Sequence, residues 1–387
     1  MSLRQRSTSA AYWSALESAA RTGVQFVISL ILARLLTPAD FGAVAMLALF
    51  VSLALIFVDS GFGAALIQRQ DVTEEDKASV FWFNMAAAVL VAGALAASAG
   101  WIAEFYRLPI LEPLTYAMAV NVVLTALGSL QASMMTKDLD FRTQARITVV
   151  ASLVSGGLGV GMAFGGFGVW SLIAQTLASS AITSALLWYW RPWRPAAGVS
   201  MASLRRLFGF GAYLLAAATI DAIYHRLNTL LIGRLYSASD LGFFNRADHL
   251  QEMPTSLLSR VLNRVAFPVF SAANKEPDLL RRGVRKAILL LMLVNLPLMA
   301  GMAYVADWLV VVLYGDQWAP TGPLLTILCL AGLLWPLHVI NLSVLKAQGR
   351  SDLFLWVSIA KKVIGVTALV LAAPHGLAVI AWAVVGV

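Results

Sequence analysis

The chain has 387 residues, of which 60% are hydrophobic and only 12% charged, and its mean hydropathy is +0.79. Soluble domains carry about 25% charged residues, so this composition excludes an ordinary soluble globular protein and indicates a polytopic membrane protein. A net charge of +8 would suggest nucleic acid in a soluble chain, but in a membrane protein basic residues mark cytoplasmic loops, so their positions decide between the two.

The N-terminus, MSLRQRSTSAAYWSALESAA, carries Arg4 and Arg6 without an uninterrupted apolar region or a small-residue cleavage site after them, so no cleaved signal peptide is expected. A spanning helix needs about 20 mostly apolar residues. Windows of that kind fall near 13–33, 41–58, 79–100, 114–133, 146–165, 167–190, 207–232, 241–268, 287–306, 321–344, 353–373 and 375–387. These predict twelve spans, the last cut short inside HGLAVIAWAVVGV.

In the first window Glu17 and Arg21 are spaced i,i+4 and share one helix face. The turn after it, LARLLTPADFGAV (32–44), returns after the seventh window as IGRLYSASDLGFF (232–244), with Arg34, Leu35, Asp40 and Gly42 matched without a gap by Arg234, Leu235, Asp240 and Gly242. Asp40 and Asp240 are expected as N-caps, Gly42 and Gly242 as close-packing residues, and Arg34 and Arg234 as interfacial anchors. GGLGVG in the fifth window reads as helix packing, because it lies inside a span.

The seventh window, LLAAATIDAIYHRLNTLLIG, places Asp221 and His225 one turn apart and adds Arg226 and Asn228. The eighth has Asn245, Arg246, Asp248, His249 and Glu252 toward one end and Arg260, Asn263 and Arg264 toward the other; such a helix cannot face lipid all round. Pro297 and Pro336 fall inside the ninth and tenth windows, where proline removes a backbone hydrogen bond and bends a helix. His338 and Asn341 read chiefly as packing residues. Cys329 is the sole cysteine, which excludes an internal disulfide and a cysteine-cluster metal site. Lys361 and Lys362 lie about 13 Å into the eleventh span by helical rise.

With the N-terminus taken as cytoplasmic, 18 of the 28 Lys and Arg fall in cytoplasmic segments and three, Arg34, Arg107 and Arg234, in external loops. The positive-inside rule thus accounts for most of the basic excess without nucleic acid. Six crossings separate the two copies of the repeated phrase, so the halves have the same orientation, as in parallel-repeat transporters. A fainter echo, DLDFRTQARI and RSDLFLWVSI, precedes the fifth and eleventh spans, and the basic stretch 191–206 joins the halves. The predicted fold is an all-α polytopic membrane protein of two lobes, 1–197 with helices 1–6 and 198–387 with helices 7–12.

LARLLTPADFGAVAM, DSGFGAALIQR, KDLDFRTQARI, GFGVWSLIAQ, LIGRLYSASDLGFFNRAD and FPVFS resemble, in order, the polysaccharide transporter family of the MOP flippase superfamily, nearest to the Wzx-type colanic acid and teichuronic acid exporters. The resemblance covers roughly 10–385. It implies a MOP/MATE-like arrangement of two six-helix lobes around a central cavity. It also implies a bacterial inner-membrane flippase that translocates undecaprenyl-pyrophosphate-linked oligosaccharide by alternating access and works beside other polysaccharide assembly proteins. Members of the family usually have about fourteen helices, which implies that a C-terminal pair is missing here. Family members often carry an acidic residue near Asn228; here Asp221 would have to substitute.

Intramembrane charges are functional candidates by default. Arg21, Arg226, Arg260, Arg264, Lys361 and Lys362 are the candidates for binding pyrophosphate, since guanidinium geometry suits phosphate oxygens. Glu17, Asp221, His225, Asp248 and Glu252 are the candidates for coupling to a proton or sodium gradient. No phosphate loop, H-E-x-x-H or serine elbow is present, so neither an ATPase nor an enzyme is expected, and no cofactor or metal. The alternatives are a multidrug exporter of the same superfamily, which predicts an acidic, aromatic cavity, and a membrane polysaccharide polymerase or ligase, which generally needs a sizeable external loop.

Overall fold

The computed structural model describes residues 22–69, 71–191, 193–196, 198–272, 277–348 and 350–386, excepting the side chains of 207–214, 257–272, 277, 346, 347 and 351. Among the described residues every regular element is a helix. The order is α1 (Thr22–Leu35), α2 (Pro38–Asp59), α3 (Phe62–Gln68), α4 (Glu74–Ala97), α5 (Ala99–Tyr106), α6 (Leu111–Lys137), α7 (Phe141–Phe164) and α8 (Trp170–Trp190). It continues with α9 (Met201–Leu235), α10 (Ala238–Ala272), α11 (Pro277–Tyr304), α12 (Ala306–Tyr314), α13 (Thr321–Ala347), α14 (Ser351–Ala372) and α15 (Leu377–Val385). Over the described residues, each of the twelve predicted windows coincides with a helix, the first only from Thr22 onward. Among the described residues eight helices are long and apolar enough to cross a membrane.

The repeated phrase is a helix break built twice. Thr37 caps α2: its hydroxyl accepts from the Asp40 N–H at 3.3 Å, and the Asp40 carboxylate accepts from the Thr37 N–H at 2.9 Å. Ser237 and Asp240 repeat the exchange at the start of α10, both bonds at 3.1 Å. The aspartates are therefore not the N-caps expected from sequence but the reciprocal N3 partners, and the shorter hydroxyl residue three positions earlier is the cap. Each box satisfies backbone donors that a helix start leaves open, stabilising it by about 1 kcal/mol.

By internal contacts the chain forms two compact units, Met1–Arg226 and Leu227–Val387, the division falling inside α9. In the first, α6 is the hub and packs on α2, α3, α4, α5 and α8; in the second, α13 packs on α10, α11, α12, α14 and α15. Close approach at the first hub is visible at Gly128, where a Cβ would lie 3.2 Å from the Ser184 backbone. The Ser184 hydroxyl donates to Leu124 O at 2.6 Å, and Trp188 Nε1 donates to Leu127 O at 2.8 Å.

Three short helices, α3, α5 and α12, were not expected from sequence, where WIAEFYRLPILEP reads as an external loop. Seven to nine residues are too few to signal a span, yet they suffice for a helix packed on a hub. α5 and α12 follow α4 and α11 respectively, and each has tryptophan at its third position, Trp101 and Trp308, and tyrosine at its last, Tyr106 and Tyr314.

The linker 191–206 is tied onto α4. Arg206 pairs with the buried Asp76 at 2.5 Å, Trp193 Nε1 donates to Glu74 at 2.7 Å, and Trp82 Nε1 donates to Ala196 O at 3.0 Å. Asp76 also completes the α4 capping box with Thr73, so one carboxylate serves a helix start and an ion pair together.

Pro336 leaves the helix of α13 continuous but cannot donate to Gly332 O four residues earlier. Asn295 of α11, fully buried, supplies the missing donor: its Nδ2 donates to Gly332 O at 2.9 Å and to Leu333 O at 3.1 Å. Asn295→Leu is therefore expected to destabilise the protein by about 1–3 kcal/mol, the cost of a buried unmet carbonyl. In a Pro336→Ala background, where the backbone N–H at 336 returns, most of that loss should vanish. Thermal unfolding of the four detergent-solubilised proteins as a double-mutant cycle checks this, additive losses being the contrary result.

Candidate functional site

Trp335 and His338, on either side of Pro336 in α13, lie close to Lys361 on α14. Lys361 Nζ lies 3.3 Å from His338 Nε2 and 5.8 Å from the Trp335 ring centroid, and the Trp335 and His338 rings are 5.7 Å apart. An ammonium has only donors, so His338 accepts through Nε2 and carries its proton on Nδ1. Lys361 and His338 are half-buried and Trp335 is exposed. Among the described residues no carboxylate pairs with Lys361. Its charge is thus stabilised by an aromatic face and a neutral imidazole without being cancelled, which leaves a positive site able to receive an anion.

Arg246 also lies against aromatic rings. Only 8% exposed, it lies 5.6 Å from the Tyr314 ring centroid and 5.8 Å from that of Trp318. The residue 200 positions earlier in the first unit is Met46, 1% exposed.

The sequence-predicted residues distribute as follows. Glu17 and Arg21 lie outside the described residues. Arg260 and Arg264 fall on α10, with side chains outside the described set. Asp221 and His225 are exposed on α9, where the His225 ring packs edge-on against Tyr224 at 5.8 Å. Arg226 is half-buried and is the last residue of the first unit. On α10, Asp248 is half-buried and Glu252 exposed, and Lys362, like Lys361, is half-buried on α14. Among the described residues there is no cluster of three or more His, Cys, Asp or Glu that could hold a metal ion.

Sequence reasoning passed over Asp59. It sits at the C-terminal end of α2, where the helix dipole disfavours an anion. The chain then reverses through Ser60 at φ 46° and Gly61 at φ 73° into α3, so that the Asp59 carboxylate accepts from the Gly61 and Gly63 N–H groups. It borders a cavity of about 290 Å³ with Leu55, Ile56, Ala64, Leu215 and Ala218. An acid closing an apolar helix immediately before Ser-Gly was the available signal. Trp335 was the other omission, its signal being an aromatic residue directly before a span proline.

A family model described as polysaccharide biosynthesis protein matches residues 31–323. The teichuronic acid biosynthesis protein TuaB of Bacillus subtilis (strain 168) is 30% identical over 387 residues, covering 98% of this chain and 80% of its own. The lipopolysaccharide biosynthesis protein WzxC of Escherichia coli (strain K12) is 27% identical over 377 residues, with 96% and 76% covered. The succinoglycan biosynthesis transport protein ExoT of Rhizobium meliloti (strain 1021) is 26% identical over 352, with 91% and 71% covered. Among solved structures, the inward closed conformation of the lipid II flippase MurJ superposes with a TM-score of 0.76 at 10% identity, covering 96% of this chain and 84% of that one. An inward-facing multidrug resistance MATE transporter of the MOP superfamily superposes at 0.73 and 14% identity, covering 94% and 90%. At those identities the likeness is one of fold: the chain has the MOP-type helical fold.

At Gly63 a Cβ would lie 2.8 Å from both Asp59 Oδ1 and Ser133 Oγ, whereas at Gly93, inside α4, nothing comes within 4 Å. Gly63→Ala is expected to lower stability by about 1–3 kcal/mol through overpacking, and Gly93→Ala to raise it by about 0.5–1 kcal/mol through helix propensity. Thermal unfolding of each variant in detergent reads both signs.

Proposed function

The chain belongs to the polysaccharide biosynthesis protein family, and from that membership we propose that it is a flippase carrying undecaprenyl-pyrophosphate-linked oligosaccharide across the bacterial inner membrane by alternating access. It is a multi-pass membrane transporter, not an enzyme, and it serves polysaccharide biosynthesis. The observation that carries the substrate assignment is Lys361, a cation set within an apolar span against Trp335 and His338 with no carboxylate partner among the described residues. A charge in hydrocarbon is costly, and its retention there suits an anionic headgroup and disfavours the cationic drugs expected of a multidrug exporter.

In this reading Lys361 meets the pyrophosphate, and Arg21, Arg226, Arg260, Arg264 and Lys362 extend the cationic path, while the polyprenyl tail remains in the bilayer. The exposed face of Trp335 suits the apolar face of a sugar ring. The distribution of basic residues supports an N-terminus in the cytoplasm. A proton or sodium gradient drives the cycle through a titratable group among Glu17, Asp221, His225, Asp248 and Glu252, and Asp59 joins that set as an intramembrane carboxylate beside a cavity.

Deletion of the protein from its own cells is expected to accumulate lipid-linked oligosaccharide protected from a periplasm-restricted sugar-cleaving probe. Accumulated oligosaccharide that the probe cleaves would instead assign the block to a later polymerase or ligase step. In complemented cells Lys361→Ala should lower flipping at least about tenfold at unchanged protein level, the loss of one charge-assisted contact, with Lys361→Arg retaining more than Lys361→Ala. Asp221→Asn should lower it as well, and undiminished transport would remove that carboxylate from the mechanism.

A further inference from the structure

In the second unit, the first turns of α11 and the last turns of α13 enclose an open groove of about 630 Å³. Its walls are Leu280, Val284, Ile288 and Val344, and Arg281 and Arg285 stand at its mouth. The arginines are i,i+4 neighbours and therefore lie on one face, continued by Leu289, Leu293 and Leu296, every one of them exposed. Arg282 and Lys286 double the positive charge within the same six residues. Leu289 to Leu298 runs about 14 Å along the helix, close to half of a hydrocarbon core of about 30 Å. Charge and apolarity are thus ordered along α11 as head and tail are ordered in an anionic lipid.

We propose that this groove is a binding site for an anionic phospholipid, its phosphate held by Arg281 and Arg285 and one acyl chain passing between Ile288 and Val344 onto the exposed stripe of Leu289, Leu293 and Leu296. Three features favour a resident phospholipid. The guanidinium pair matches a single phosphate bidentately. A basic cluster at the end of a spanning helix is where anionic headgroups concentrate. The apolar stripe is one leaflet long, whereas a polyprenyl carrier would need a longer track. The lipid would fasten α11 to the membrane plane, on the helix that also carries the Asn295 contact to α13.

The test uses the purified full-length chain and native mass spectrometry, titrating dioleoylphosphatidylglycerol against dioleoylphosphatidylcholine, which has the same acyl chains. The wild-type protein is expected to retain the glycerol lipid preferentially. Arg281→Gln/Arg285→Gln should weaken its binding about thirty-fold, given two basic contacts, and leave the choline lipid unaffected. Arg194→Gln/Arg205→Gln, which removes two exposed basic residues of the first unit, should change neither. Val344→Phe keeps both arginines and fills the trough; it should weaken both lipids, and it decides the matter if the arginine variant fails to fold. Unchanged binding in the arginine or the Phe variant overturns the site, as does an equal loss in the Arg194/Arg205 control. Displacement of the phospholipid by equimolar undecaprenyl pyrophosphate also overturns it, by assigning the groove to the carrier.

Discussion

The bond from Asn295 to the carbonyl of Gly332 is the contact on which the second unit's geometry depends. A proline inside α13 removes the one donor that helix geometry assigns to that carbonyl, and in hydrocarbon no water can take its place. Asn295 donates to it, and to Leu333 O as well, from the facing wall of α11. The carbonyl that the proline leaves open is thereby satisfied across two helices. Gly332 permits the contact: a Cβ there would meet Gln251 of α10 and Met299 of α11. Trp335 and His338 flank Pro336 in the same stretch of α13, and both meet Lys361.

The same requirement, that every backbone group find a partner inside the protein, explains why the two units share a plan without sharing side chains. Each starts its second helix with a hydroxyl–aspartate exchange, and each must then secure that turn against the loop before its last helix. In the first unit this is done by packing: Leu36 is 3% exposed among Ile28, Leu32, Ala163 and Leu172. In the second it is done by hydrogen bonds: the Tyr236 hydroxyl donates to Ala373 O at 2.7 Å and accepts from Gly376 N–H at 2.8 Å. Gly168 and Gly376, both at positive φ, open the matching loops. Backbone demands recur in both units because solvent and topology recur; the side chains that meet them are free to differ.

That freedom sets what the sequence could reveal. Twelve of the fifteen described helices are legible from hydropathy, because the length of an apolar run is fixed by the bilayer and not by packing. The repeat is legible where it is a capping signal, since Thr37 and Asp40 act within one turn. The pairing of Tyr236 with Ala373 and Gly376 is not, because it joins residues about 140 apart with no periodic signature. Asn295 is invisible for the same reason: one asparagine in an apolar helix has no local partner to announce it. Of the candidate site, Lys361 stands out as a charge in a span, but its contact with His338 joins two helices and could not be read along the chain. The family resemblance supplied the substrate class, which no spacing or composition contains.

The manner in which the second unit holds its cations bears on transport. A buried lysine or arginine is commonly stabilised by a carboxylate, but such a pair is electrically neutral and offers little to a third, anionic partner. An aromatic face stabilises the same cation by about 0.5–2 kcal/mol while leaving its net charge intact. Lys361 against Trp335 uses the second device, and Arg246 lies against Tyr314 and Trp318. Arg246 is enclosed, 8% exposed, and serves to lock α10 to the short helix α12 and the turn after it. Lys361 is only half-enclosed and keeps both its charge and an approach. In the first unit the place of Arg246 is taken by Met46, and Tyr106, the counterpart of Tyr314, buries its hydroxyl without a hydrogen bond. One unit therefore supplies an apolar scaffold at this position and the other a charged one.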